Sequence, residues 1–352
     1  MRWFDPVLYP FSLLYDGVTR LRNRLFDSGQ KKSVSFSIPT IIVGNLSMGG
    51  TGKTPFVEFL VRLLSKDHSI CTLSRGYGRK TTGFILADGS SDASQIGDEP
   101  FQIYSKFKES VGVAVGEDRV LAIPQILSLK PDTDMLLLDD AFQHRYVKGD
   151  LNIMLTTFQK PFFDDQVVPL GTLREAKKGA GRADLIVVTK CPSSLDEPRR
   201  DHYSGRIRIF NKQAKIIFAG LKYGEPVPVV NASNKKIKEV VLVSGIANDE
   251  LFRMEVKGNF EVKEVFTFSD HHHYKVNDVK NIVRSVRQNP NSAILTTEKD
   301  AVKLKAPIFR EYLAEIAIFA LPIEISLDKG DSQWINDKIS EVVKEKGYIR
   351  EN

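Results

Sequence analysis

The chain of 352 residues is long enough for two domains and a sizeable hydrophobic core. Its composition, 42% hydrophobic and 27% charged, is ordinary for a soluble α/β protein, and its net charge of +6 fits anionic partners such as phosphates or an acidic lipid surface without demonstrating one. Cys71 and Cys191 lie far apart and form no C-x-x-C pair, which excludes a disulfide framework and a cysteine metal knuckle and indicates a reducing compartment.

The N-terminal segment predicts an amphipathic helix. Its longest uncharged stretch, residues 6–15, is well short of the roughly 20 residues that span a bilayer. An apolar face followed by arginines and lysines can lie in a membrane interface, or it can pack on the protein's own domain, and the residues alone leave both interpretations open. The apolar positions recur at spacings of three and four: Trp3, Val7, Phe11, Leu14, Val18, Leu21 and Leu25.

Residues 41–54, IIVGNLSMGGTGKT, have the order of a phosphate-binding P-loop: an apolar strand, a glycine-rich turn, Lys-Thr and then a helix. Lys53 can bridge the β- and γ-phosphates, and the Thr54 hydroxyl can ligate Mg²⁺. Ser47 replaces the first glycine of the strict pattern, so nearby glycines are expected to supply the flexibility, Gly44 among them. The residues predicted to bind the nucleotide are Gly49, Gly50, Thr51, Gly52, Lys53 and Thr54.

A second apolar strand, near residues 135–138, ends in Asp139-Asp140. A strand that ends in aspartate about 85 residues after a P-loop has the Walker B form, in which Asp139 holds Mg²⁺ directly or through water. We expect Asp140 to lie beside the metal and to take part in catalysis.

Two further motifs follow predicted strands or open predicted helices. In SRGYGR (74–79), arginines beside glycines suit an anionic group, although a solvated surface turn has the same composition. In GDEP (97–100), Asp98 stands at a helix start, where an acid is usually a cap; the functional alternative is an acid aimed at the crevice. The loop PLGTLRE (169–175) adds an Arg-Glu pair.

The sequence SDHHHY (269–274) contains three consecutive histidines. They cannot all face one metal from a strand, because neighbouring side chains point to opposite sides. A single histidine used for acid–base work is the better functional interpretation, and a solvated polar loop is the structural one.

Taken in order, the elements predict an α/β fold: a P-loop NTPase-like domain with a mostly parallel sheet, a smaller α/β domain and an N-terminal membrane-associating helix. We expect the helix in residues 1–35, the P-loop domain in 36–214, an extended linker in 215–232 and the smaller domain in 233–352. Residues 192–206, polar and charged, are expected to form a surface connection.

The combined motifs resemble those of the tetraacyldisaccharide 4'-kinase family, the lipid A 4'-kinases of Gram-negative bacteria. The matching residues run in the family's order over nearly the whole chain: VGNLSMGGTGKTP, SRGYGR, GDEP, LLLDDAFQHR, PLGTLRE, FSDHHHY and LTTEKDAVKL. The resemblance implies ATP-dependent phosphorylation of the 4'-hydroxyl of a lipid A disaccharide 1-phosphate precursor, and peripheral attachment to the cytoplasmic face of the inner membrane. It therefore favours the membrane interpretation of the N-terminal helix.

The resemblance also implies that Asp98 works with a histidine of the DHH segment as an acid–base dyad, which we assign to His271 with His272 as the alternative. The cofactors are then ATP and Mg²⁺, with Glu175 predicted as a further metal or base-supporting residue. We expect no nucleic-acid partner and no obligate protein partner. Substrate contacts are predicted for Arg75, Tyr77, Arg79 and His144.

The alternative class is a MinD-like regulatory or metal-chaperone NTPase, which also has a GGxGKT loop. That class carries a lysine before the two glycines, whereas this chain has Met48. A non-catalytic membrane-binding module would leave the other motifs unexplained.

Overall fold

A computed structural model describes residues 5–108, 110–231, 237–270 and 272–347. The helices are α1 Asp5–Asp27, α2 Lys53–Leu64, α3 Ala93–Ile96, α4 Asp98–Phe107, α5 Arg119–Leu129, α6 Glu197–Arg208, α7 Glu250–Asn259, α8 Val276–Gln288, α9 Glu298–Leu304 and α10 Lys329–Glu345. The strands are β1 Thr40–Asn45, β2 Ile70–Ser74, β3 Ile85–Leu86, β4 Val111–Val115, β5 Met135–Asp139, β6 Leu151–Thr157, β7 Leu185–Cys191, β8 Lys215–Tyr223, β9 Val227–Val230, β10 Glu239–Ser244, β11 Glu261–Thr267, β12 Ser292–Thr297, β13 Ile318–Leu321 and β14 Ile323–Ser326.

The larger sheet has the order β14-β8-β7-β6-β1-β5-β2-β4-β3, and only its two edge strands, β14 and β3, pair antiparallel. Its central strands are apolar on both faces because helices cover both. Along β1, Ile42 belongs to the core on one face, while Ile41 and Val43 belong to the core on the other. Because β1 is parallel to its neighbours β5 and β6, the carboxyl ends of the three strands lie at the same edge of the sheet, where the motif loops begin.

The smaller sheet has the order β11-β10-β12-β13-β9 and is parallel except for β9. Its two faces bury separate apolar clusters, one with α8 and one with α7. The predicted fold class, a P-loop-type parallel sheet with a smaller α/β domain, is confirmed by this architecture.

The chain crosses between the two sheets twice. The segment expected as a linker forms β8, which pairs with β7 in the larger sheet, and β9, which pairs with β13 in the smaller one. After β13 the chain returns: β14 pairs with β8, and α10 buries Ile335, Ile339 and Val342 in the core of the larger sheet. The sequence placed residues 323–347 with the smaller domain, but their apolar side chains are buried against the larger one.

Helix α6 lies in the stretch that was expected to be a surface connection. Of the helix only Ile207 is buried, so the segment lacks the apolar periodicity by which a helix is recognised in a sequence. Its start is still marked, because Asp196 accepts a hydrogen bond from the Arg199 amide and Pro198 occupies the first turn.

The helix α1 lies against the larger domain with one face and exposes the other. On the inner face, Ser12 donates to the Val167 carbonyl and Asn23 donates to Glu175. The outer face carries most of the apolar stripe predicted from the sequence, with Val7, Phe11, Leu14, Val18 and Leu21 each at least 60% exposed. Leu25, also predicted for the stripe, is half-buried, and Trp3 lies outside the described residues. None of the described helices is long and apolar enough to cross a membrane.

Candidate active site

The P-loop joins β1 to α2 and takes its curvature from two glycines. Gly49 and Gly52 have φ of 101° and 81°, in the region that L-residues with a Cβ rarely adopt. Gly44, expected to contribute flexibility, lies instead within regular β1. A Cβ there would come within 2.9 Å of the Phe142 backbone nitrogen, so Gly44 permits close packing of β1 on the loop after Asp140.

Two polar side chains outside the glycine turn hold the P-loop in shape. Asn45 Nδ2 donates to the Ser47 carbonyl at 2.7 Å and to the Thr51 hydroxyl at 2.8 Å. Thr189, at the end of β7, donates to the Thr51 carbonyl at 2.8 Å. Asn45 stood within the motif but was not assigned a role, and Thr189 has no motif to mark it.

Lys53 and Asp140 face each other across the turn. The Lys53 ammonium lies 3.5 Å from Asp140 Oδ1, and Arg174 donates to both oxygens of Asp140 at 2.8 and 3.0 Å. Burial would raise the pKa of Asp140, but Lys53 and Arg174 outweigh it and hold that pKa below its usual value. Asp140 is therefore a carboxylate that orients the P-loop lysine.

Arg174 reaches this position because the PLGTLRE loop pairs with the start of the P-loop. The Arg174 amide donates to the Leu46 carbonyl, and the Met48 amide donates to the Thr172 carbonyl, both at 2.7 Å. Ser47, the residue that replaces a glycine, forms a bridge with Leu173 in this pairing. The replaced glycine thus lies in an extended segment, where a side chain is tolerated.

Asp139 is buried at the end of β5, and its Oδ1 has no hydrogen-bond donor among the described residues. Burial, reinforced by the charge of Glu99 and opposed by that of Lys53, raises the pKa of Asp139 to about 7. A buried carboxylate oxygen without a donor beside a phosphate loop fits a hard cation such as Mg²⁺. No group of three or more acidic, histidine or cysteine ligands occurs in the described ranges.

Glu175, predicted as a metal or supporting residue, is engaged in another way. Its two oxygens accept hydrogen bonds from Asn23, Gln143 and Arg182 at 2.6 to 3.0 Å. Burial would raise its pKa, but the Arg182 hydrogen bonds and charge lower it. With its oxygens occupied, Glu175 links α1 to the loop after Asp140 and is poorly placed to ligate a metal.

The SRGYGR and GDEP motifs are in backbone contact. A Cβ on Gly97 would lie 2.9 Å from the Tyr77 carbonyl, and a Cβ on Gly76 would lie 2.9 Å from the Ile96 carbonyl. Arg79, predicted to bind substrate, pairs with Glu117 at 2.5 Å and donates to the Gly83 carbonyl at 2.6 Å. It therefore stabilises its own loop, while Tyr77 is 70% exposed beside it.

The start of α4 meets α9 of the smaller domain through ion pairs. The Lys303 ammonium lies 3.3 Å from Asp98, and the Lys299 ammonium lies 3.6 Å from Glu99 and 3.0 Å from Asp270. A third lysine, Lys106, is 2.6 Å from both Glu58 of α2 and Glu298 of α9. The acids of GDEP thus face the smaller domain, which a helix cap alone would not require.

Of the histidine candidates, His271 lies outside the described residues. His272 is described, and its Nε2 lies 3.0 Å from Asp278 Oδ2 while its ring stacks on Phe268. Both partners belong to the smaller domain, so His272 is engaged away from Asp98.

Several arginines of the larger domain lie near His144. Burial, reinforced by the charges of Arg119, Arg22 and Arg75 and opposed by that of Asp118, lowers the pKa of His144 to about 4. His144 Nε2 is buried without a hydrogen-bond partner among the described residues. The predicted substrate residues Arg75 and His144 therefore lie in one basic cluster, to which Arg22 of α1 and Arg119 of α5 also belong.

Comparison with known proteins gives a consistent result. The family model described as Tetraacyldisaccharide-1-P 4'-kinase matches residues 4–341. The tetraacyldisaccharide 4'-kinases of Bacteroides thetaiotaomicron and Flavobacterium johnsoniae are similar at 39% and 41% identity, covering 98% and 100% of this chain and 93% and 99% of theirs. The solved LpxK of Aquifex aeolicus, in complex with ATP, aligns with a TM-score of 0.75 at 29% identity over 97% of this chain and 99% of that one.

Proposed function

Because the chain belongs to the tetraacyldisaccharide 4'-kinase family, and is thus an ATP-dependent kinase of lipid A biosynthesis, we propose how its residues perform the transfer to the 4'-hydroxyl. One observation carries the proposal. Lys53, Asp139 and Asp140 lie together at the P-loop, and the start of α4, with Asp98 and Glu99, lies beside them where the two domains are in contact. Family membership also decides against the regulatory NTPase alternative.

Nucleotide phosphates lie on the amides of residues 49–54, with Lys53 at the terminal phosphates. Asp140 and Arg174 orient Lys53, since the three side chains form one chain of contacts. Thr54 and Asp139 would hold Mg²⁺, and the buried Asp139 oxygen without a donor among the described residues supports this assignment. When bound, the metal neutralises charge on the phosphates. Glu175 is left out of the metal set because its oxygens are occupied.

Asp98 accepts or orients the proton of the 4'-hydroxyl, and His271 acts with it. Support comes from Glu99 and Asp270, the residues next to Asp98 and His271 in the sequence. Lys299 lies within 4 Å of both Glu99, which follows Asp98, and Asp270, which precedes His271. One side chain therefore ties together the two segments that carry the dyad, and the two domains are already in contact there.

The acceptor is an anionic lipid, and the basic cluster around His144 is where we place its 1-phosphate. Arg75 contacts the phosphate, and Tyr77 lies beside it on an exposed loop. Arg22 links this cluster to α1, because Arg22 donates to the Gln143 carbonyl next to His144. An anionic headgroup held there would leave the acyl chains near the apolar face of α1.

The exposed stripe of α1 attaches the protein peripherally to the cytoplasmic face of the inner membrane. Five large apolar side chains at 60% exposure or more on one helix face are costly in water and suited to a lipid interface. The cations that follow them, Arg24 and Lys32 among them, suit an anionic lipid surface.

Radiolabelled phosphate transfer from ATP to a lipid A disaccharide 1-phosphate tests the proposal. We expect transfer by the wild-type protein and a loss on the order of 10²- to 10³-fold in Lys53→Ala, because one electrostatic contact to the reacting group is removed. Lys66→Ala, an exposed lysine two residues after α2, is the matched control. ATP hydrolysis without transfer to the lipid, or near-normal transfer by Lys53→Ala, would contradict the mechanism.

A further inference from the structure

Lys190 lies at the end of β7, directly after the threonine that fixes the P-loop. Thr189 donates to the Thr51 carbonyl, and a Cβ on Gly52 would come within 3.6 Å of the Thr189 hydroxyl. A Cβ on Gly50 would lie 3.9 Å from the Lys190 ammonium. The lysine therefore approaches the phosphate loop from the β7 side, whereas Lys53 approaches it from α2.

The backbone of Lys190 is in an unusual conformation. Its φ is 58°, in the left-handed region, where asparagine, aspartate and glycine are common and a long side chain is not. Such conformations persist where the surrounding structure imposes them, and they concentrate at functional sites. Here the conformation occurs where β7 leaves its regular register with β8, so the strand end is shaped locally.

The Lys190 ammonium lacks a close anionic partner. Within the described ranges it donates no hydrogen bond and forms no ion pair, although the side chain is half-buried. Burial lowers the pKa of Lys190, and the charge of Asp270 in the smaller domain offsets this only in part. A half-buried cation beside an anion-binding loop is most stable when an anion is present.

We propose that Lys190 is a second phosphate-binding cation of this site, which contacts the terminal, β or γ, phosphates of the bound nucleotide. The position at Gly50 favours those phosphates, because Gly50 precedes the Gly-Lys-Thr segment whose lysine reaches the β/γ end. Ala247 of the smaller domain also lies near Gly50, because a Cβ built on Gly50 would be 3.7 Å from the Cβ of Ala247. Lys190 thus stands where the larger domain, the nucleotide and the smaller domain meet. The inference rests on the ATP binding of the proposed function.

The test is calorimetric titration of the full-length protein with MgATP, MgADP and AMP. Lys190→Met removes the charge, and Lys190→Asn removes it while keeping a residue that tolerates the left-handed backbone. We expect both variants to bind MgATP and MgADP about tenfold or more weakly, since a charge-assisted contact is lost, and to bind AMP as before. Lys190→Arg should retain affinity within about threefold of wild type.

Lys257→Met, on the exposed side of α7, is the control for the same change in net charge. Thermal unfolding of each variant separates a folding defect from a binding defect, and Lys190→Asn keeps the test open if the methionine variant does not fold. Unchanged MgATP affinity in Lys190→Asn would overturn the proposal, as would an equal loss for AMP. If the wild-type protein itself bound no ATP, the kinase mechanism would fail, and that outcome is distinguishable because it appears without any substitution.

Discussion

At the residue scale, the adjacent aspartates Asp139 and Asp140 have different surroundings and therefore different roles. Asp140 is paired with Lys53 and Arg174, whereas Asp139 keeps a buried oxygen with no donor among the described residues. The first arrangement orients the protein's own cations, whereas the second suits the ligation of a metal cation. Adjacent residues at a strand end point in different directions, so the two carboxylates do not compete.

Asp139→Asn should therefore lose Mg²⁺-dependent activity with little change in fold. The substitution keeps the size of the side chain but removes the charge that a metal requires, and metal stabilisation of phosphoryl transfer supplies several kcal/mol, so we expect turnover to fall on the order of 10²-fold or more. Turnover measured over a Mg²⁺ titration checks this. Asp134→Asn, a buried aspartate next to the opposite end of β5, is the matched control. An unchanged Mg²⁺ dependence in Asp139→Asn would exclude Asp139 as a ligand.

His144 gives a prediction about pH and stability. Its pKa of about 4 in the folded protein lies below the usual 6.5, first through burial and then through the charges of the neighbouring arginines. The unfolded chain therefore binds the proton more readily, and the free energy of unfolding should fall as pH drops from about 6.5 to about 4. Above about 6.5 His144 is neutral in both states and contributes no such dependence.

The expected size of this effect is on the order of 1 kcal/mol, because His144 is only partly buried and solvent screens the charges. Urea unfolding at pH 7, 6 and 5 measures it. In His144→Gln the fall between pH 7 and pH 5 should be smaller than in wild type, and in His202→Gln, an exposed histidine of α6, it should be the same. An identical pH dependence in His144→Gln and wild type would mean that His144 does not titrate as described.

At the element scale, α1 has two faces of different character. Its inner face holds the larger domain through Ser12, Arg22 and Asn23, which contact the loops that follow β5 and β6. Its outer face is apolar and exposed. A deletion of residues 1–28 would remove both faces together, so substitutions on the outer face give the cleaner experiment.

Leu14→Asp with Val18→Asp should move the protein from vesicles to the soluble fraction while leaving its fold intact. Both side chains are at least 60% exposed, so the charges are introduced in water and are unfavourable only in a lipid interface. Flotation with vesicles that contain anionic lipid measures the partition, and thermal unfolding checks the fold. Met254→Asp, an apolar residue of similar exposure on α7, should leave flotation unchanged. A folded double variant that floated like the wild type would refute attachment through α1.

At the scale of the whole molecule, the contact between α4 and α9 joins the two domains at Asp98 and Glu99 of the GDEP motif. Lys299 and Lys303 of α9 face Glu99 and Asp98, while Lys106 of α4 faces Glu298. These pairs run in both directions across the contact, so neither helix can slide without separating several charges. We expect the Asp98 region and the segment before His271 to stay together when either domain moves, because Lys299 contacts both.

A double-mutant cycle tests whether Asp98 and His271 act together. The variants are Asp98→Ala, His271→Ala and both, with turnover under saturating ATP as the measurement. If the residues form one unit, the double variant should be about as slow as the slower single variant, because either loss disables the unit. Rate losses that multiply would reject the dyad. His272→Ala, which removes a ring held by Asp278, is the control and should show weaker coupling.

The sequence by itself determined most elements of both domains and the residue types of the motifs. Strands such as β4, a short continuous apolar run, and helices such as α8, with apolar residues at helical spacing, were recognisable because both patterns are local. The phosphate loop was recognisable because only glycines accept its backbone angles and only certain side chains meet phosphate and metal. The resemblance of the motifs to a known family then identified the reaction, as family membership confirmed.

Only the tertiary structure decided which of these motifs touch and what each side chain is used for. Three contacts join residues more than one hundred positions apart. Thr189 donates to the Thr51 carbonyl, Lys303 pairs with Asp98, and α10 packs against the larger sheet. It likewise assigned Arg79 and Glu175 to structural pairs, although their motifs had indicated substrate and metal. A motif records which residue types a chemistry needs, but the partner of a charged side chain depends on how distant segments pack, and no local pattern encodes that.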